Sequence, residues 1–382
     1  MQCLTLRPPQ LCGEIHLVQY TLQIVSNEVY PRNLEEWWLN RVKDQAVTEA
    51  GIQQLSDLFT KQRGEMEVDY FRNPELLQAY GLFYFPQTYM RTQFVFREVL
   101  KRGWNPPDPV SILDLGAGTG AASISLTHQL RHQLNGIEVT AVDRSAQALN
   151  TLQQIYQDLA PYPTIKIHCS DFRRWLAQQD RRWDLIIASF SLNETEHFST
   201  GFIGEIAGAL SENGMALILE PALRETSENI ERLRDRISIM SSLHVWAPCP
   251  HRQSCPLLAE GRFWCHEVRS WKPPDSLASI NRRLYREIHI LRFSFLAFGK
   301  QMPPALPDGS FRLISPVAKL KGRFVFTACT SKGEKREWEI LSRSLKEEER
   351  LALRSHERGE MFCLSGIEPE KRLHPGDFHK IE

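Results

Sequence analysis

The sequence predicts an α/β protein built on a Rossmann-like parallel sheet with helices on both faces. Three observations carry that prediction. Short apolar stretches alternate with helical patterns from Val110 to Leu219, the first stretch runs into Gly116, Gly118 and Gly120, and an aspartate ends each of the first three. Around this centre we expect an N-terminal helical region over residues 1–105 and the sheet domain over 106–300, with a cysteine-rich insertion at 245–270. A small β-rich module with a charged tail follows over 301–382.

Taken in order, Asn33–Leu39 and Ala50–Phe59 repeat their apolar residues every three to four positions and read as helices. Asn73-Pro74-Glu75 opens another, with Asn as N-cap and Pro in the first turn, and Phe85–Leu100 reads as a further amphipathic helix. The proline-rich Asn105–Pro109 breaks the chain. Strands are then expected at Val110–Leu115, Ile137–Val142, Ile165–Cys169, Trp183–Phe190 and Gly214–Leu219, with helices at Ala121–Gln133, Ala146–Leu159 and Phe202–Leu210. Right-handed crossovers would bring every strand's C-terminal end to one edge, where ligands bind. Beyond Pro221 the pattern changes. Arg224–Leu243 reads as a long charged helix and Val245–Pro274 as irregular. Ile288–Phe298 reads as a strand, and Arg323–Cys329 with Glu337–Leu341 as a hairpin around Ser331-Lys-Gly333. The charged stretch after Lys346 is expected to be partly unordered.

No apolar run approaches the ~18 residues needed to span a bilayer, so no membrane partner is expected. The start of the chain lacks a basic stretch followed by an apolar core, and Glu14 and Glu28 argue against a transit peptide. The expected location is the cytoplasm of a bacterial-type cell. Net charge is zero, yet residues 250–350 hold 19 Lys and Arg against 11 Asp and Glu. A basic C-terminal half on an acidic body suggests a polyanion such as RNA or DNA, although a mixed, solvated surface would look similar.

The segment Ile112-Leu-Asp-Leu-Gly-Ala-Gly-Thr-Gly-Ala121 carries the main site. Gly116, Gly118 and Gly120 allow a tight turn against which a ligand can lie on bare backbone, a pattern that dinucleotide sites share. The acids discriminate. Asp114, two residues before the first glycine, would repel a pyrophosphate but accept from the ammonium of a methionine moiety. Asp143 could take both ribose hydroxyls. Asp171 could accept from an adenine amino group, with Phe172 packing near the base. Each acid could alternatively cap a helix; three in register with the glycine loop point to S-adenosyl-L-methionine (SAM) and to the class I methyltransferase form of the fold. Asn193 and Glu194 follow the fourth strand, where the transferable methyl would face, and either line the pocket or cap the next helix. No catalytic acid or base is identifiable.

Eight cysteines in a chain without an export signal argue against disulfides. Cys249, Cys255 and Cys265 cluster as C-x5-C-x9-C, two of them followed by proline, and suggest a metal site. A fourth ligand could be His251, His266 or a distant cysteine, for which Cys329 beside the expected hairpin turn is the best placed. The C-x2-4-C pairs usual for zinc are missing, which tilts the reading toward an iron–sulfur cluster, with zinc as the alternative.

Together these residues resemble the mitochondrial small-ribosomal-subunit methyltransferase-like proteins and their bacterial relatives. The likeness runs from about Tyr80. It includes Ala79-Tyr-Gly-Leu-Phe-Tyr-Phe-Pro-Gln-Thr-Tyr89, Leu113-Asp-Leu-Gly-Ala-Gly118, Ala188-Ser-Phe-Ser-Leu-Asn-Glu194 and Leu219-Glu-Pro221. Most specific are Ala247-Pro-Cys-Pro-His251, Cys255-Pro-Leu257 and Trp264-Cys-His266; Phe293-Ser-Phe-Leu-Ala297, Ser315-Pro316 and Ala328-Cys-Thr330 also fit. The chain departs from the pattern at Arg252-Gln-Ser, where an acidic triplet is usual, and at Glu267, where an aromatic is common. The resemblance implies a 4Fe-4S cluster on Cys249, Cys255, Cys265 and Cys329. It also implies binding to the small ribosomal subunit or its rRNA during ribosome assembly. The expected function is a SAM-dependent rRNA methyltransferase, with a non-catalytic assembly factor or a small-molecule methyltransferase as alternatives.

Overall fold

The computed structural model describes residues 29–42, 44–60, 69–159, 163–192, 200–366 and 368–381. The N-terminal helices are α1 (Arg32–Leu39), α2 (Gln45–Thr60) and α3 (Pro74–Lys101). Sequence patterning suggested two helices where α3 is a single helix of 28 residues with Pro86 inside it. Proline there removes one amide donor. The carbonyl it leaves without its helical donor is that of Leu82; the Gln87 side chain donates to the neighbouring Phe83 carbonyl (2.7 Å), and packing of most of the helix surface carries the helix through.

The central units follow as β1 (Val110–Leu115), α4 (Ala121–Leu130), β2 (Ile137–Asp143), α5 (Ala146–Asp158), β3 (Ile165–Cys169), α6 (Phe172–Leu176), β4 (Trp183–Ser189), α7 (Thr200–Ala209) and β5 (Leu210–Pro221). Next come α8 (Arg224–Ile239), β6 (His244–Ala247), α9 (Pro256–Glu260), β7 (Glu267–Ser270), α10 (Asp275–Leu284) and β8 (Ile290–Gly299). The stretch expected to be irregular, 245–274, therefore contains two short strands and a short helix. The long charged helix stops at Ile239 rather than Leu243, because Leu243 and Val245 are buried as β6 pairs with β8.

The main sheet runs β3-β2-β1-β4-β5-β8-β6, with β7 also on β8. The pairs among β1 to β5 are parallel, and β8 runs antiparallel to β5, with Met215 opposite Gly299 and Pro221 opposite Phe293. This mostly parallel sheet with helices on both faces is the expected class I methyltransferase form. Alternate residues of each strand face opposite cores. Ile112, Leu185 and Leu217 pack with α3, α4, α5 and α10, whereas Leu113, Ile186 and Ile218 pack with α6, α7 and α8.

The C-terminal part is β9 (Ser310–Leu313), β10 (Ala318–Leu320), β11 (Arg323–Thr330), β12 (Lys335–Leu341), α11 (Glu347–Ser355), β13 (Met361–Leu364) and β14 (Phe378–Lys380). These strands form a six-stranded antiparallel sheet around Phe311, Phe326, Trp338 and Phe362. The segment beyond Lys346 is thus folded, contrary to its charged appearance: β13 pairs with β9 and buries Phe362 in that core. Arg312 of β9 is almost fully buried between Glu98 of α3 (2.5 and 3.0 Å) and Glu267 of β7 (2.8 Å), and joins the two sheets.

Candidate functional site

A cavity of about 410 Å³ opens along the C-terminal edge of β1 to β4. The turn after β1 holds Gly116, Gly118 and Gly120 at φ values of 72°, 52° and 82°. A side chain at Gly116 would collide with Ser191, and one at Gly120 with Leu152. Gly116 and Gly118 line the cavity, whereas Gly120 lies behind it and leaves room for Leu152.

The structure brings Asp114, Asp143 and Asp171 to the same cavity. Asp114 is buried; its Oδ2 accepts from the Ser123 amide (3.2 Å) while Oδ1 has no partner among the described residues. Burial pushes its carboxyl up to about 7. Asp143 accepts from the Gly118 amide (2.8 Å) and the Ser145 amide (2.8 Å), so it braces the glycine turn. Burial raises its pKa too. Asp171 lines the cavity and also caps α6, accepting from the Arg174 amide (2.9 Å). Phe172 is buried at the cavity wall beside Gly116. Asn193 and Glu194 lie outside the described residues.

The opposite wall was missed in the sequence. Tyr80, Tyr84, Thr88 and Arg91 recur at steps of four, four and three along α3 and share one face of it. Asp69, Tyr70 and Phe71 precede the helix, and Phe71 lies over Gly118. The spacing was visible, but only tertiary packing tells that this face covers the sheet edge. Burial draws the Arg91 guanidinium down to about 10. It donates to the Gln87 amide oxygen (3.2 Å) and sits 5.1 Å from the Phe190 ring, and its Nε has no partner among the described residues. Phe190, just beyond β4, adopts φ 58°, a strained conformation for a non-glycine residue. The neighbouring Ser189 hydroxyl is buried and unpartnered among the described residues. A strained aromatic, a spare donor and a guanidinium that pairs with no carboxylate among the described residues suit recognition of a planar or anionic group.

A second, small cavity of about 40 Å³ is lined by Cys249, Cys255, Cys265 and Cys329. Cys329 reaches it from β11, in the hairpin anticipated there. Helix α8 wires the cysteine loop in place. Glu231 accepts from the Cys265 amide, and Asp235 accepts from the Cys255 amide (2.9 Å). Buried Arg234 donates to the Cys249 sulfur (3.2 Å) and to the carbonyls of His251 and Gln253. His251 Nε2 lies 3.2 Å from the Cys329 sulfur, and His266 Nδ1 lies 3.3 Å from the Trp264 carbonyl. Burial pushes the Cys255 thiol up to about 12 and those of Cys265 and Cys329 well above their usual range. Among the described residues no three His, Cys, Asp or Glu converge closely enough to share one metal ion.

Residues 74–362 match the family described as "Mitochondrial small ribosomal subunit Rsm22". A tRNA1(Val) (adenine(37)-N6)-methyltransferase of Escherichia coli O157:H7 is 28% identical over 92 residues, 24% of this chain and 36% of that protein. The chain thus spans about a third of the length of the curated relatives it matches. Among solved structures, the plantazolicin methyltransferase BpumL in complex with S-adenosylhomocysteine aligns with 70% of this chain and 98% of its own at 13% identity (TM-score 0.37). The Thermus thermophilus 16S rRNA N2 G1207 methyltransferase aligns with 41% and 40% at 18% identity (TM-score 0.29).

Proposed function

The chain belongs to the mitochondrial small ribosomal subunit Rsm22 family, and from that premise we propose that it is a SAM-dependent methyltransferase acting on small-subunit rRNA. The observation that carries this reading is the convergence of Asp114, Asp143, Asp171 and the glycine turn on one cavity. Asp114 receives the ammonium of the methionine moiety, Asp143 the ribose, and Asp171 with Phe172 the adenine. Bound SAM supplies an activated methyl group. In-line transfer then depends on positioning. Ser189 ends β4, which lies next to β1 in the sheet, Phe190 follows it, and Arg91 of α3 faces Phe190; together they hold the acceptor nucleotide. The test is calorimetric SAM binding together with transfer of labelled methyl from SAM to small-subunit rRNA and to the assembled subunit. SAM binding without transfer to either substrate favours the assembly-factor alternative, in which SAM is a structural ligand. No SAM binding removes the proposal.

We further propose a 4Fe-4S cluster on Cys249, Cys255, Cys265 and Cys329, favoured over zinc because the C-x2-4-C pairs usual for zinc are missing and clusters tolerate wider spacing in the chain. The thiols of Cys255, Cys265 and Cys329, raised by burial, are neutral when unligated, and a cation offsets the cost of ionising them. The cluster would staple the second sheet, through β11, to α8 of the first.

A further inference from the structure

Part of the basic excess in residues 250–350 gathers at one place in the fold. Arg283 and Arg286 of another basic run are engaged by α2 at the surface: exposed Arg283 pairs with Glu49 (3.4 Å), and Arg286 donates to Ser56 (2.8 Å) and Gln53 (2.7 Å). At one end of the C-terminal sheet, three turns distant in sequence meet instead. The turn between β10 and β11 is joined to the end of β12 by the Ser342 amide donating to the Gly322 carbonyl (2.9 Å). The Glu339 amide donates to the Lys371 carbonyl (2.9 Å) and brings in the loop before β14.

A groove of about 600 Å³ lies there, walled by Lys319, Gly322, Ser342, Arg343, Arg350 and Arg372, with no carboxylate in its lining. Glu339, behind the wall, orients Arg372 (2.9 Å) on one oxygen and Arg323 (3.1 Å) on the other. Glu347 holds Arg350 (3.1 Å), whose Nη2 also donates to the Ser342 carbonyl (2.7 Å). Two buried donors in the wall, Arg350 Nε and the Ser342 hydroxyl, have no partner among the described residues. Lys319, Arg343 and Arg372 are exposed, as are Lys321 and Lys371 at the rim.

We propose that this groove grips the sugar–phosphate backbone of RNA, a contact separate from the acceptor pocket; the inference rests on the RNA reading above. Guanidinium forks and a lysine match phosphate oxygens, and the volume exceeds one phosphate group. Apolar Leu341 is the one large hydrophobic side chain in the lining, so the backbone is held and bases are not read.

The test uses the full-length protein and small-subunit rRNA transcribed in vitro. The double variant K319E/R343E changes two exposed side chains outside the SAM cavity. We expect RNA affinity at about 0.1 M salt to fall ~10–100-fold, and the slope of log K against log salt to flatten by about 1.5–2, because two phosphate contacts are lost. SAM affinity and melting temperature should stay within error. Should that variant fail to fold, K319Q/R343Q is expected to give the same flattening. Wild-type RNA affinity and slope in a folded variant overturn the proposal. So does selective binding to anionic vesicles instead of RNA. If the wild type binds no rRNA at all, the RNA reading itself falls and takes this groove with it.

Discussion

Asp114 offers the sharpest test of the ligand assignment, because its environment sets a pH dependence of known sign. Burial holds its carboxyl at about 7, and Oδ1 is free to meet a cation. Only the ionised form attracts the ammonium of SAM. The free site is roughly one-tenth ionised at pH 6 and nine-tenths at pH 8, so affinity should tighten about tenfold between them and level off above. Folding follows the opposite trend. The folded pKa lies above the unfolded value, so this group favours the fold most when protonated. Its contribution falls by about 1.4 kcal/mol per pH unit from roughly pH 4 to 7 and is constant above, a loss of up to about 4 kcal/mol. Asp114→Asn should therefore weaken SAM about 10–100-fold at pH 8, the ~1.5–3 kcal/mol of a hydrogen bond to a charged group, and abolish the pH slope. The ligand-free variant should also melt above the wild type at pH 8, by a margin that shrinks toward pH 5. Calorimetry at pH 6, 7 and 8 with matched melting curves reads both effects. A flat wild-type affinity across that range, or unchanged affinity in the variant, would refute the assignment.

Three further outcomes follow from the same geometry. Protein purified without oxygen should carry about four iron and four sulfide per chain. Cys329→Ser should lose most of that iron, while Cys169→Ser and Cys363→Ser keep it; one zinc and no sulfide by elemental analysis would reject the cluster. Gly120→Ala should destabilise the SAM domain by about 2 kcal/mol or more, since the position needs φ 82° and the added methyl meets Leu152; a melting temperature equal to the wild type would contradict this. Arg312→Met should cost about 3–5 kcal/mol by stranding buried Glu267 and half-buried Glu98, measured by urea unfolding. Arg269, 2.7 Å from Glu267, will hold the loss toward the lower end.

The positions of the central strands were legible because buried parallel strands are written as short apolar runs, and Asp114, Asp143 and Asp171 because strand ends punctuate those runs; the order of the strands in the sheet was not. The single helix through Pro86 was hidden because continuity there depends on the packing of its surface, which is not a local signal. Residues 361–364 hid in a charged tail since four residues form a strand only when β9 offers an edge. The wall formed by Tyr84 and Arg91 depends on where α3 lies, and the hold of Glu231, Arg234 and Asp235 on the cysteine loop depends on how α8 docks. Cysteine spacing marked the loop itself, whereas Cys329 comes into place only through the pairing of β11.

The antiparallel seat of β8 has a consequence for synthesis. The SAM cavity draws on residues 59–223 and Arg292, while the outer edge of β5 is covered only by residues 293–299. During translation at about 5–20 residues per second, the apolar stretch Met215–Leu219 therefore waits several seconds with a bare strand edge. Chains truncated before Ile290 should be made with their glycine turn complete and yet collect in the insoluble fraction, held together by that edge.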